Sequence, residues 1–125
     1  MRLFSFRNQQ NERGLGVLCA KDSQQFVDLC ATDSSIPNRL LGLIECDATF
    51  NKAKQALTNP NAVIRDLADI QFDTLIDRPG KIVCMGLNYA DHAKEGGNAR
   101  PEYPSFFMRG PSSLAAHNEI GRAHV

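Results

Sequence analysis

The first residues of the chain alternate in character, and this pattern is typical of a half-buried β-strand. Within residues 2–7, two phenylalanines face one side while Leu3 and Ser5 face the other. A polar loop, NQQNERG, follows, and residues 16–20 and 26–30 are two further apolar runs separated by a polar turn. Because such short turns join antiparallel neighbours, the pattern predicts a three-stranded antiparallel meander.

Two helices are predicted after the meander. Residues 38–45 carry leucine and isoleucine at helical spacing. Asp47 can cap a second helix over residues 48–58, which the dipeptide Asn59-Pro60 ends. Because a small exposed sheet needs a cover, we expect both helices to pack on it and to form a compact α+β unit.

A turn with the sequence DRPG, at residues 77–80, separates this unit from the rest of the chain. Residues 63–64 and 67–72, just before it, are predicted to be short connecting strands. We therefore place the end of a small N-terminal α+β domain at residue 78.

The segment after residue 78 reads as the beginning of a second domain. Residues 81–85 are an apolar run typical of a strand, residues 89–95 form a short helix that two glycines stop, and residues 103–108 can form another strand. A segment this short cannot bury a core of its own. We expect the second domain to be cut off, with apolar strand surface left exposed.

The composition excludes several classes of partner. Lys and Arg number 14 against 14 Asp and Glu, and no basic run is interleaved with aromatic residues, so no nucleic acid or membrane partner is expected and a small molecule is favoured. No stretch approaches the roughly 20 apolar residues that span a bilayer. The four cysteines are widely spaced without a C-x-x-C pair. We interpret them as reduced core thiols of a cytoplasmic protein.

The short helix at residues 89–95 carries a possible acid–base pair. His92 and Glu95 are i and i+3 neighbours, so in a helix both side chains project from one face. A carboxylate on one imidazole nitrogen fixes the tautomer and leaves the other nitrogen free to accept a proton. The spacing also occurs on ordinary solvated helices, so a surface role for both residues stays open.

The surrounding sequence resembles the fumarylacetoacetate hydrolase family. The motif G-x-N-Y-x-x-H-x-x-E is matched by Gly86, Asn88, Tyr89, His92 and Glu95. A second motif, P-x-x-F-x-(K/R)-x-P-S, is matched within residues 104–112, and the first 78 residues are similar to the small N-terminal domain of many bacterial members. The resemblance covers the chain to about residue 119 and implies that residues 79–119 begin a mixed β-roll catalytic domain.

The resemblance also implies an activity and a set of site residues. Members of the family cleave, decarboxylate, hydrate or isomerise small β-diketo or 2-oxo acids at a Mg²⁺ or Mn²⁺ ion. By resemblance, the histidine and glutamate of the motif are a water-activating dyad on a lid helix, and the intact enzyme is a homodimer. The expected site consists of the catalytic residues His92 and Glu95 and the substrate-binding residues Asn88, Tyr89, Phe107, Arg109 and Ser112.

Two departures from the family pattern narrow these expectations. Leu87 stands where some acylpyruvate-cleaving members have an arginine, which disfavours that substrate class. The acidic metal ligands of the family follow the position of Ser112 in an E-x-E string that this chain lacks. We therefore expect the chain alone to bind no catalytic metal and to be inactive. Residues 120–125 resemble a translated sequencing adapter and are interpreted as a non-native read-through tail.

Three functions remain open. The leading one is cleavage of a C–C bond in a small oxo acid, by hydrolysis or by a related lyase step, performed by the intact enzyme. A decarboxylase, hydratase or isomerase on the same scaffold is the first alternative. The second is a non-enzymatic α+β binding module in which the motif residues lie on the surface.

Overall fold

A computed structural model describes residues 1–97, 99 and 101–121, without the side chain of His92. Residues 122–125, part of the predicted read-through tail, lie outside the described residues. The chain forms two compact units. The first contains Met1–Asp77 and the segment that begins at Ala115, and the second is Arg78–Leu114.

The first unit is an antiparallel sheet with three helices. Its strands lie in the order β4-β3-β2-β1-β5. The strands are β1 (Leu3–Arg7), β2 (Arg13–Leu18), β3 (Gln25–Asp28), β4 (Ile64–Asp66) and β5 (Gln71–Asp73), and the helices are α1 (Leu29–Thr32), α2 (Leu40–Ile44) and α3 (Asp47–Ala56). A 3-10 turn at Leu67–Asp69 joins β4 to β5. The architecture is α+β, as predicted.

The helices cover one face of this sheet and bury the main core. Leu15 and Val17 of β2 project into it together with Val27 of β3. Burying a side chain of this size stabilises the fold by about 1.5–3 kcal/mol relative to exposure. The cluster consists of Leu15, Val17, Val27, Leu29, Ile36, Leu40, Leu43, Ala53 and Ala56.

The opposite face of the sheet carries an aromatic cluster packed over a glycine. The ring of Phe4 meets Phe26 edge-on at 5.1 Å between centroids and Phe72 at 5.4 Å. Gly16 lies directly opposite Phe4 in the register. A Cβ atom at Gly16 would be 2.8 Å from the Phe26 ring and in closer conflict with Phe4. The rings therefore occupy space that only glycine leaves free.

Asp28 joins three elements of the first unit. It is 5% exposed, ends β3 and caps α1, where its Oδ1 accepts the N–H of Ala31 at 3.0 Å. Its Oδ2 accepts from Arg65 Nε of β4 at 2.8 Å. Its backbone N–H donates to the carbonyl of Val63 at 2.9 Å, and its own carbonyl accepts from the hydroxyl of Thr32 at 2.7 Å. One side chain thus fixes where a strand ends, where a helix begins and where β4 joins.

An ion-pair cluster holds the segment that follows β5. Arg13 Nη1 lies 2.8 Å from Asp77 Oδ2, and Arg13 Nη2 donates to the carbonyl of Thr74 at 2.6 Å. Arg7 Nε lies 2.9 Å from Asp73 Oδ2. The Arg13 side chain is largely buried, so its charge needs these partners. The cluster ties residues 73–77 to β1 and β2.

The predicted meander is confirmed, since β1, β2 and β3 pair antiparallel in sequence order. Both predicted helices are present as α2 and α3, but the predicted cap is wrong, because Cys46 is the N-cap of α3 and Asp47 is its first residue. The short segments predicted as connecting strands are instead the two edges of the sheet, because β4 pairs with β3 and β5 with β1. The third strand ends two residues earlier than predicted, at Asp28, because that residue caps a helical turn.

The four cysteines are free thiols, but they are not all in the core. The core prediction is wrong for Cys19 and Cys46, which are exposed. Burial raises the pKa of the half-buried Cys30 thiol. The backbone N–H groups of Thr49 and Ala48 lower the pKa of the Cys46 thiol.

The second unit is a two-stranded antiparallel ribbon with one helix. It consists of β6 (Ile82–Gly86), α4 (Ala90–Glu95) and β7 (Ser105–Arg109). Val83 lies opposite Met108 in the register and Met85 opposite Phe106, so these four side chains share one face. All four are exposed, between 45% and 60%. The predicted exposed apolar surface is confirmed.

We predict that replacing Asp28 by alanine lowers the free energy of unfolding by about 2–4 kcal/mol, since the change removes a helix cap and a buried ion-pair partner. Urea denaturation followed by circular dichroism measures this change. Asp22→Ala, in an exposed turn, is the matched control, with an effect within about 0.5 kcal/mol. Equal effects of the two substitutions would contradict the central role of Asp28.

We predict that Gly16→Ala destabilises the first unit by about 1–3 kcal/mol, because the added methyl overpacks the aromatic cluster. Gly80→Ala is the control, since a Cβ atom there meets nothing within 4 Å. Thermal unfolding of both variants tests the difference. An unchanged melting temperature for Gly16→Ala would show that the rings can move aside.

Candidate active site

A groove of about 400 Å³ lies in the second unit, where β6 leads into α4. One wall is the chain from the end of β6 to the first turn of α4, and the other is the loop that precedes β7. The groove thus lies within the segment that carries the family motif. Its lining consists of Met85, Gly86, Leu87, Asn88, Ala90, Ala93, Pro101, Glu102, Tyr103 and Pro104.

Leu87, in the connection between β6 and α4, adopts a left-handed backbone conformation. Its φ is 47°, a region that a branched side chain rarely occupies. Such strain costs on the order of 1–3 kcal/mol and is common at functional sites. A leucine at this position gives no sequence signal for a left-handed backbone, and this conformation was not predicted.

Helix α4 is buried at Ala93, on the side of the helix away from Glu95. The N–H of Ala93 donates to the carbonyl of Tyr89 at 3.1 Å, and Ala93 is 2% exposed. At 3.6 residues per turn, Glu95 lies about 200° around the helix from Ala93, and it is exposed. Position 92 is one turn from Glu95, but the side chain of His92 lies outside the described residues. The helical spacing on which the predicted dyad depends is therefore present in the backbone.

The predicted substrate-binding residues do not all lie at this groove. Asn88 lines it, and Tyr89, at the start of α4, is 72% exposed. Phe107 and Arg109 lie on β7, opposite Cys84 and Ile82 respectively. These β7 residues are absent from the groove lining among the described residues.

Ser112, the remaining predicted residue, is exposed in a short 3-10 turn, Pro111–Ser113, after β7. Two further residues of the groove were not among the predicted site residues. Glu102 and Tyr103 lie in its lining, between Pro101 and Pro104. The sequence signal for these two residues was only the pair of prolines, which predicts a loop rather than a site.

The described carboxylates do not form a metal site. No group of three or more His, Cys, Asp or Glu side chains that could hold an ion occurs in the described part of the chain. Mg²⁺ and Mn²⁺ need several convergent oxygen ligands. The described residues therefore do not fit the ion that the family resemblance implies, and no step is assigned to it.

Comparison with known proteins identifies the family of the chain. No family model matches it. It is 31% identical over 113 residues to the fumarylacetoacetate hydrolase domain-containing protein 2 homolog of Dictyostelium discoideum, covering 89% of this chain and 35% of that protein. It is 31% identical over 120 residues to the mitochondrial oxaloacetate tautomerase fahd2 of Xenopus laevis, covering 95% of this chain and 37% of the relative.

A bacterial relative has the same identity over a smaller part of the chain. The oxaloacetate tautomerase YisK of Bacillus subtilis is 31% identical over 96 residues, covering 66% of this chain and 32% of that protein. The chain thus spans about a third of the length of these relatives. None of the helices in residues 1–97, 99 and 101–121 has the length and apolar character needed to cross a bilayer. These matches agree with the motif at residues 86–95, and the chain belongs to the fumarylacetoacetate hydrolase family.

Proposed function

We propose that the full-length protein is an enzyme that moves a proton on a small 2-oxo acid, with keto–enol tautomerisation of oxaloacetate as its reaction. The observation that carries this proposal is the match of almost the whole chain to a protein named as an oxaloacetate tautomerase. A second relative, from a bacterium, has the same activity in its name. The proposal replaces C–C bond hydrolysis as the leading function, because neither name describes bond cleavage.

Tautomerisation requires a base beside the carbon next to the keto group. In the proposed reaction, His92 removes a proton from C3 of the acid, the electron pair of that C–H bond forms the C2–C3 double bond, and the resulting imidazolium gives a proton to the keto oxygen to complete the enol. Glu95, one helical turn away, holds the imidazole in the tautomer that can accept the proton. The exposed position of Glu95 on α4 supports this role, since its carboxylate is not held in the core and can reach a neighbouring side chain.

The groove beside α4 is the proposed place for the substrate. Asn88 contributes an amide that can donate to a carboxylate or keto oxygen, and Tyr103 adds a hydroxyl. A volume of about 400 Å³ is sufficient for a four-carbon acid. The carboxylate of Glu102 in the lining would repel a dicarboxylate, so we propose that the positive charge comes from outside this lining, with Arg109 of β7 as the candidate that the family resemblance gives.

The remaining features of the enzyme also stay proposals. A divalent ion would polarise the keto group, and we place its ligands outside the described residues. Binding of the substrate by Tyr89, Phe107 and Ser112, and assembly into a homodimer, follow from the family resemblance. The cytoplasmic location stays a proposal too, since the name of the Xenopus relative includes a mitochondrial location.

We predict that His92→Ala in the full-length protein lowers kcat for oxaloacetate tautomerisation by about 10²–10⁴-fold, the range expected for losing a general base. Glu95→Gln should lower kcat less, by roughly 10-fold to 100-fold, because it orients the base without touching the substrate. The ultraviolet absorbance of the enol follows the reaction.

Lys94→Gln is the matched control, because Lys94 lies on the same helix but about 200° around from position 92. Its kcat should stay within about twofold of the parent enzyme, a rate difference below 0.5 kcal/mol. Unchanged turnover in His92→Ala would refute His92 as the base, and a parent protein that does not exceed the uncatalysed rate would favour the non-enzymatic module. Cleavage of the substrate to two smaller acids, with no faster enol formation, would favour C–C hydrolysis instead.

A further inference from the structure

The first unit contains a second groove, of about 660 Å³, that the proposed activity does not use. It lies between the start of β1, the turn that follows β2 and the loop that joins α3 to β4. All of its lining residues belong to the first unit. Its volume is in the range of small-molecule sites in proteins.

The groove has a positively charged part. Arg2 and Lys21 contribute to its lining, and no Asp or Glu does so among the described residues. Arg2 Nη1 donates to the backbone carbonyl of Lys21 at 3.0 Å, which holds the guanidinium beside the β2–β3 turn. The bond uses one of five guanidinium N–H donors, so the others can bind an anion. Both cationic residues are exposed.

Apolar residues make up most of the remaining lining, in which Asn59 is a polar residue. Leu18, Leu57, Ala62 and Ile64 line it, and the Ile64 side chain is 47% exposed. A tail that covers these side chains would gain about 25 cal/mol for each Å² of apolar surface removed from water.

The C-terminal end of helix α3, which lies at the groove, repels an anion only weakly. The carbonyl of Gln55 accepts the N–H of Thr58 at 3.1 Å, and the carbonyl of Ala56 accepts the N–H of Asn59 at 3.3 Å. Carbonyls with partners of this kind are less available to repel a carboxylate. The charge in the groove is therefore set mainly by Arg2 and Lys21.

We propose that this groove binds a small carboxylic acid with an apolar tail. The carboxylate contacts Arg2 and Lys21, and the tail covers Leu57, Ala62 and Ile64. Complementary charge selects the anionic end, since the lining contains the cationic side chains of Arg2 and Lys21 and, among the described residues, no carboxylate side chain. The site is independent of the catalytic proposal, because it lies entirely in the first unit.

Titration of the ¹⁵N-labelled chain with octanoate at low salt tests this proposal. We expect saturable amide shifts at Leu18, Lys21 and Ile64, with an affinity that the double variant Arg2→Gln/Lys21→Gln weakens by roughly tenfold. Acetate, which lacks the tail, and octanol, which lacks the charge, should each bind at least about tenfold more weakly. Ile64→Ser tests the apolar part separately and should also weaken octanoate binding.

Lys52→Gln is the control, since Lys52 is exposed on α3 and is not part of the groove lining. Its octanoate affinity should match that of the parent chain. Shifts confined to Val83 and Phe106 would mean that octanoate only coats the apolar ribbon of the second unit, and would overturn the proposal. Equal binding of octanol and octanoate, unchanged affinity in the double variant, or no shifts at all would overturn it as well.

Discussion

The fold of the first unit depends on the carboxylate of Asp28. A buried carboxylate is stable only when hydrogen bonds or a charge partner replace the water it loses. Asp28 meets this requirement with the N–H of Ala31 on one oxygen and Arg65 on the other. Because those partners belong to a helix and to an edge strand, satisfying one side chain fixes three elements. Local unfolding of α1 or β4 would therefore remove a partner from the buried carboxylate of Asp28.

Local pattern explains what could be predicted of this fold. The alternation in residues 2–7 predicted a strand and the apolar spacing in residues 38–45 predicted a helix, and both elements are present. Both faces of β1 are buried, however, and Leu41 and Ile44 of α2 are exposed. The edge strands β4 and β5 were misread because each has only three residues and its partner is distant in sequence. The pairing of Arg13 with Asp77 was not predictable either, since nothing in the local sequence of either residue indicates the other.

The candidate site was predictable to a smaller extent. The motif at residues 86–95 identified the helix and its spacing, and Asn88 does line the groove. Glu102 and Tyr103 were missed because loop residues are brought to a site by chain geometry that leaves no periodic signal. The left-handed Leu87 was missed for a related reason, since a leucine carries no preference for that conformation.

The two units differ in how much of their apolar surface their own residues bury. The first has a buried core on one face of its sheet and an aromatic cluster on the other, whereas the second exposes an apolar face formed by residues such as Val83 and Phe106. Mg²⁺ or Mn²⁺ also finds no convergent ligands in the described residues. The chain spans about a third of the length of these relatives, so the chemistry proposed above is a proposal about the whole protein.

The central claim is that α4 carries the proton-transfer group of an oxo-acid tautomerase. The most direct measurement is proton NMR of oxaloacetate in D₂O with the full-length protein, which follows exchange of the C3 protons for deuterium. We predict enzyme-dependent exchange with all four carbons retained, and exchange reduced to the uncatalysed rate in His92→Ala. Exchange that is equally fast with and without His92, or loss of a carbon before any deuterium enters C3, would contradict the claim.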